Sequence, residues 1–271
     1  MSQPFAMIPL PARSHNKPRT RGLTMMMDWG LPLPVQRSWL EMQHKYVDLA
    51  KLVVGTARLY EEDYLLQKLE LYESHSVRAF LGGQFMEYVF HSQGMSGIKP
   101  FCREAVRLGI KAIEVSDNVV PLNDNERRTL IHTAAECGLE VHGEVGSKST
   151  HSDPAALVAQ ARQCIDAGAD VVLVEAAELL RDGEPDVDLI STLRSELDMD
   201  KVIFELGGPW IKNTTQSENY QLKVFLIRTF GPDVNLANVM PEAIWETEAS
   251  RQGLGVAGPL PEEFAPSNAP E

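Results

Sequence analysis

Lys51, Glu114, Glu144, Glu175 and Glu205 stand inside or at the end of short apolar runs, where packing alone would select Val, Ile or Leu. Lys51 interrupts LAKLVV. Glu114 lies in AIEVSD, with Ser116 two residues on and facing the same way. Glu144 comes late in EVHGEV, with His142 on the same parity, and Glu175 and Glu205 end VVLVE and VIFE. An unpaired buried carboxylate costs several kcal/mol, so such groups require cations, a metal or one another. Oxygen ligands from several carboxylates suit a hard divalent cation such as Mg2+. The structural alternative is that some of them pair with Lys51 and Lys148 and merely hold a rim together.

The elements that must position these groups follow a rhythm. Short apolar runs recur about every 30 residues, each followed by an amphipathic stretch, as in repeated βα units. The runs are Leu23–Asp28, Leu49–Val54, Val77–Gly82, Ala112–Asp117, Glu140–Val145, Asp170–Ala176, Lys201–Leu206 and Asp233–Val239. Glycine marks helix ends just before several strands, as in LGIKAIEV, CGLEVHGEV and AGADVVLVE. Helix starts are signalled at Asn123-Asp124-Asn125-Glu126, at Ser152-Asp153-Pro154 and at Pro241-Glu242. Strict alternation of eight such units predicts an α/β fold, a single-domain (β/α)8 TIM barrel. An open doubly wound sheet is less consistent, because LTMMMDWGLP carries no glycine fingerprint after the first strand. In a barrel the four glutamates fall near the C-terminal ends of consecutive strands, the face where barrel enzymes place their chemistry.

The chain has 271 residues, of which 25 are Lys or Arg and 38 are Asp or Glu, giving a net charge of −13. Such a surface repels phosphate backbones and anionic lipid, so neither nucleic acid nor membrane is an expected partner. Small anionic substrates remain compatible if the site supplies local cations or a metal. Cys102, Cys137 and Cys164 show no CxxC spacing and read as small buried hydrophobes of a reducing, cytoplasmic compartment. The first apolar stretch is broken by Pro4, Pro9 and Pro11 and makes a poor signal peptide. Residues 1–20 read as a flexible tail, 21–254 as the barrel, and 255–271 as a disordered, acidic, proline-rich tail. Self-association into a homo-oligomer is left open.

Other signals are weaker. Gly82-Gly83 follows the third strand and precedes a helix, and Gly207-Gly208-Pro209 follows the seventh. Both could present backbone N–H groups to an anion, or simply turn the chain. His75, His91, His132 and His151 lack metal-binding spacing, Met25-Met26-Met27 reads as strand packing, and no HExxH, GxSxG or P-loop is present.

In order and spacing, RGLTMMMDWGLP, KLVVGTARLY, GGQFMEY, AIEVSD, GEVGSK, GADVVLVE, KVIFE and PDVNLANV resemble the phosphosulfolactate synthases of the coenzyme M pathway. The resemblance runs from about Lys17 to Leu254, and heat-stress-associated relatives share the scaffold. It implies a (β/α)8 barrel and a carbon–sulfur lyase chemistry, the Mg2+-dependent addition of sulfite to phosphoenolpyruvate. It also implies that Lys148, in the family's EVG-x-K motif, is a general acid or sulfite-binding cation, and that Lys51 is an anion anchor. Glu114, Glu144, Glu175 and Glu205 are then metal ligands or the groups that support them. The expected substrate-binding set is Gly82, Gly83, Ser116, Gly207 and Asn238. Two departures stand out. Archaeal-type members carry a Gly-Arg pair after the sixth-strand glutamate, where this chain has Ala176-Ala177; and the segment ELGGPWIKNTTQSENY is longer, bringing Trp210 and Lys212. Arg181 or Lys212 would have to supply the missing cation. The alternatives are an enzyme using another nucleophile or enol acid, a non-catalytic stress-associated barrel, or a Schiff-base aldolase built on Lys51.

Overall fold

The computed structural model describes residues 4–14, 16–148, 151–212, 214–256 and 258. Eight parallel strands close into a barrel in which every strand pairs with its neighbours in sequence, the first with the last. They are β1 (Thr24–Asp28), β2 (Leu49–Leu52), β3 (Arg78–Leu81), β4 (Ala112–Val115), β5 (Glu140–Val145), β6 (Val171–Val174), β7 (Val202–Glu205) and β8 (Leu236–Val239). Each lies within the apolar run that predicted it, and β5 coincides with its run. The (β/α)8 barrel is therefore the fold.

Around the strands run α1 (Leu33–Gln43), α2 (Glu62–Ser74), α3 (Gly83–Gln93), α4 (Met95–Arg107), α5 (Asp124–Glu136), α6 (Pro154–Asp166), α7 (Val187–Glu196), α8 (Gln216–Phe230) and α9 (Ile244–Arg251). The alternation is broken once: β3 is followed by two helices. Gly94, with φ +65°, ends α3 and caps α4 in a backbone region that favours glycine. The anticipated helix starts behave as their chemistry requires. Asn123 and Glu126 form a reciprocal capping box on α5, and Asp153 accepts the Ala155 and Ala156 amides on α6. Pro241 opens a 3-10 turn, Pro241–Ala243, that leads into α9. A two-residue ribbon, Leu180–Arg181 against Glu184–Pro185, precedes α7. Among the described residues, no helix is long and apolar enough to cross a membrane.

Two apolar cores follow from the two faces of each strand. The outward faces pack on the helices through residues such as Met26, Leu52, Leu81, Ile113, Val141 and Phe204. The inward faces fill the lumen with Met25, Leu49, Phe80, Ala112, Leu173, Ile203 and Ala237. His142 lies at the same level, its ring edge-on to Phe80 at 4.6 Å.

The N-terminal rim is closed by ions. Arg13 reaches Asp233 (2.8 Å) and Glu248 (3.3 Å), and Arg19 clasps Asp48 through two nitrogens at 2.9 and 2.7 Å. Arg251, fully buried, donates to the carbonyls of Pro232, Val234 and Leu23. Lys17 donates to the carbonyls of His44, Val47 and His75. These contacts carry the packed body back to Arg13, ahead of the boundary at residue 21 that composition suggested. Basic residues that read as tail are consumed by strand-end carbonyls and acids, which a pass for apolar periodicity does not register. Of the expected C-terminal tail, all but residues 255, 256 and 258 lie outside the described residues.

Candidate active site at the C-terminal rim

Strand period decides where the charges go. Two residues beyond Leu49, Ala112, His142, Leu173 and Ile203, each at the lumen level, stand Lys51, Glu114, Glu144, Glu175 and Glu205. A spacing of two returns to the same face, so all five project inward one layer above the apolar plug. All are buried; Glu175 has no exposure and Lys51 only 7%.

One carboxylate oxygen from each of Glu114, Glu144 and Glu205 lies within 4.8 Å of the others. Lys51 sits against this group, its Nζ 2.7 Å from Glu114 Oε2 and 3.4 Å from Glu205 Oε1. Lys148 lies 3.3 Å from Glu144 Oε1 and is in direct contact with Glu175 Oε2. Glu175 is thus held by Lys148, and also by the Ala177 amide at 3.4 Å, rather than within the three-carboxylate group. Four carboxylates face two ammonium groups, and the imbalance shows in their acidities. Burial pushes Glu114 up to about 7 and Glu205 up to about 8, more than Lys51 offsets. Burial and the Glu144 charge raise Glu175. Glu144 is buried as well, yet Lys148 and Lys51 together hold it below the usual range. Burial pulls both lysines down, but the surrounding glutamates more than reverse this, so both stay charged.

This donor set fits a hard divalent cation: three buried carboxylates lie within reach of one point, in a rim where four carboxylates face two lysines. Glu114, Glu144 and Glu205 would hold the ion. The backbone adds a fixed dipole. The Gly83 amide, at the start of α3, donates to Glu114 Oε1 at 2.9 Å. A Cβ on Gly83 would lie 2.2 Å from Ser116 Oγ and 3.0 Å from Glu114 Oε1, so the close approach requires glycine.

The residues expected to bind substrate are placed as follows. Gly82, Gly83 and Asn238 line the cavity above the carboxylates. The glycine amides are already committed: Gly82 to the Leu52 carbonyl, Gly83 to Glu114, and Gly207 to Asn219 Oδ1. Ser116 donates to Glu87 Oε1 at 2.5 Å and is absent from the cavity wall. Asn238 has φ +59°, and its buried Oδ1 has no hydrogen-bond partner. Val54, a β-branched residue at φ +50°, lines the same cavity. Two such conformations at one mouth mark a site the fold holds under strain. Arg181 is tied to Asp186 at 2.8 Å, and neither it nor Lys212 lines the cavity.

Several residues went unread in the sequence. Asn118 donates to Glu144 Oε1 at 2.7 Å. It continues the parity of Glu114 and Ser116, and extending that count two residues past the strand would have found it. Glu87 on α3 is buried and accepts the amides of Asn118, Val119 and Val120, fixing the loop that carries Asn118. Glu178 accepts the Ser147 and Ser152 amides and the Ser152 hydroxyl, fixing the loop ends around Lys148. Neither has a local signature. Trp29 and Trp210 close the mouth as a tilted pair, with ring centroids 5.8 Å apart.

The model of the (2R)-phospho-3-sulfolactate synthase (ComA) family matches residues 12–256. A phosphosulfolactate synthase of Methanothermobacter thermautotrophicus is 32% identical over 255 residues, covering 90% of this chain and 93% of that protein. Protein HEAT-STRESS-ASSOCIATED 32 of Arabidopsis thaliana is 23% identical over 248 residues, covering 81% of this chain and 82% of that protein. Among solved structures, a putative phosphonomutase from Burkholderia cenocepacia superposes with a TM-score of 0.54 at 14% identity, covering 83% of this chain and 89% of its own. That likeness concerns the fold alone.

Proposed function

The chain belongs to the (2R)-phospho-3-sulfolactate synthase family, and from that premise and the geometry of the rim we propose that it adds sulfite to phosphoenolpyruvate, with Mg2+, to give phosphosulfolactate. The observation that carries this reading is the buried group of Glu114, Glu144 and Glu205 flanked by Lys51 and Lys148. In the reaction, the sulfite sulfur forms a bond to the methylene carbon of the substrate. The π pair moves to the neighbouring carbon and its carboxylate, and a proton then reaches that carbon; nothing leaves. Mg2+ held by the three glutamates would supply positive charge where the electron pair accumulates and offset the carboxylate charge that keeps the amines protonated.

The chain's own groups divide the remaining work. Lys148 stands at the cavity edge, where it can attract sulfite or deliver the proton. The charges of Glu144, Glu175 and Glu205 outweigh its burial and keep it protonated, the form a proton donor requires. Lys51, deeper and doubly paired, anchors the anionic end of the substrate. Glu175 and Glu178 keep Lys148 in place, and Glu87 and Asn118 do the same for Glu144. The free thiols Cys102, Cys137 and Cys164 fit a cytoplasmic setting.

The test is direct. Purified protein with Mg2+ should consume phosphoenolpyruvate only when sulfite is present, with the sulfonated product seen by mass spectrometry and the activity lost on chelation. No turnover by folded, Mg2+-supplied protein would reject the reading. A second reading, another nucleophile or enol acid on the same scaffold, is favoured by Ala176-Ala177 and by the absence of Arg181 and Lys212 from the cavity wall. A nucleophile screen scored by product mass separates the two.

A further inference from the structure

Beside the carboxylate cavity lies a second, larger chamber behind the ends of β7 and β8. The first holds about 80 Å³, the second about 480 Å³. Among the described residues, only Trp210 and Asn238 line both. The larger chamber's wall includes Thr247, whose buried Oγ1 has no hydrogen-bond partner, and it shares Asn238 with the first. We propose that Trp210 is a specificity-determining residue: its ring is the partition between the two chambers and sets how large an acid the carboxylate cavity admits.

The ring's position follows from its sequence setting. In Gly207-Gly208-Pro209-Trp210 the indole folds back over Gly208, where a Cβ would meet ring carbons at 2.1 to 2.4 Å. Only glycine leaves room for that seat. On the other side the ring meets Trp29, whose loop is fixed from below. Asp28 Oδ1 accepts the Gly30 and Leu31 amides, while Asp28 Oδ2 holds Lys68 at 2.9 Å and the Tyr72 hydroxyl at 2.7 Å. Lys68 and Asp28 have no side-chain exposure. The loop that carries Trp29 is therefore held in place, and the Trp210 ring is the panel that lies against it. With the panel in place, the small cavity suits an enol acid unsubstituted at its methylene carbon. Without it, a substituent on that carbon gains the second chamber.

The substrate part of this inference rests on the phosphoenol-acid reading above, so the experiment has two arms. The first does not depend on it. Gln84, which lines the small cavity, is replaced by cysteine (Gln84→Cys) and labelled with methyl methanethiosulfonate, a small reagent, and with dithiobis(nitrobenzoate), a bulky one, and that peptide is quantified by mass spectrometry. Trp210→Ala should raise the bulky-to-small ratio about tenfold, and Gly208→Ala, which keeps the indole but displaces it, should raise it less. An unchanged ratio in both folded variants overturns the partition. The second arm compares phosphoenolpyruvate with its 3-methyl homologue, using sulfite and Mg2+. One methyl group is worth roughly 10- to 200-fold in a fitted pocket, and Trp210→Ala should erase most of that preference. A preserved preference overturns the specificity role. A changed labelling ratio with no turnover of either acid by the wild type upholds the partition and rejects the phosphoenol-acid reading instead.

Discussion

Both rims of the barrel bury ionic groups, and they balance them differently. At the N-terminal rim Arg13, Arg19 and Arg251 stand with Asp48, Asp233 and Glu248, and strand-end carbonyls take most of the remaining donors. With Lys17 the cations outnumber these acids, and the surplus donors are spent on backbone carbonyls. At the C-terminal rim Glu114, Glu144, Glu175 and Glu205 face only Lys51 and Lys148, and two carboxylates are pushed to about 7 and about 8. Buried charge that is saturated behaves as a structural plug, and its loss exposes uncompensated partners. Buried charge left in excess is poised for something the chain does not itself supply. The two arrangements lie at opposite ends of one barrel, separated by the apolar lumen.

The largest expected effect is on catalysis at the upper rim. Lys148→Ala should lower turnover by about 10²- to 10⁴-fold in a sulfite-dependent assay. Glu205→Gln should abolish Mg2+-dependent activity while leaving the melting temperature equal or higher, because the amide resembles the protonated form that burial already favours. A large fall in melting temperature for that variant would erase the distinction between the rims. Next in size, Arg19→Ala leaves Asp48 buried and unpaired and should cost about 3–5 kcal/mol in denaturant unfolding. The activity of its folded fraction should persist; if activity disappears while stability holds, the lower rim is more than a plug.

A fourth prediction concerns protons. The folded pKa values of Glu114 and Glu205 lie above those of the unfolded chain, so the native state holds protons that the unfolded state has lost. Their contribution is therefore present at low pH and is lost as pH rises through about 7 to about 8. Metal-free protein should melt at lower temperature as pH increases across that window, and Mg2+ should restore more at the alkaline end, where the ligands are deprotonated. At ~100 times its Kd the ion contributes about 2.7 kcal/mol. A melting temperature indifferent to Mg2+ at every pH would break this half of the comparison. The smallest effect belongs to Ser116→Ala. Its hydroxyl serves Glu87, so the change should cost about 1 kcal/mol and leave the KM for phosphoenolpyruvate nearly unmoved. A many-fold rise in KM would return Ser116 to the substrate.

Much of the upper rim was legible because period-two alternation is local. The step from Leu49 to Lys51, or from Ile203 to Glu205, needs only the strand assignment to place the charge inside. The glycines were harder. Gly82, Gly83 and Gly207 do lie at turns after their strands, but the partners of their amides, Leu52, Glu114 and Asn219, come from other elements. Glu87 and Glu178 were invisible for the same reason: each is an ordinary acid in sequence and becomes a loop anchor only when its helix or turn packs beside another strand's end. The lower rim misled composition, since Arg13 and Arg19 read as a basic tail until their acids are brought to them.

What the amino-acid order determined by itself was the alternation of strands and helices, the caps that start α5 and α6, and the inward parity of one lysine and four glutamates. Those features depend on backbone periods and on neighbours a few residues away. Only the closed barrel decided that Glu114, Glu144 and Glu205 meet while Glu175 turns to Lys148, and that Trp210 lies between two chambers. Convergence of that kind is set by barrel closure and by side-chain torsions packed against distant segments, and no period along a single strand encodes it.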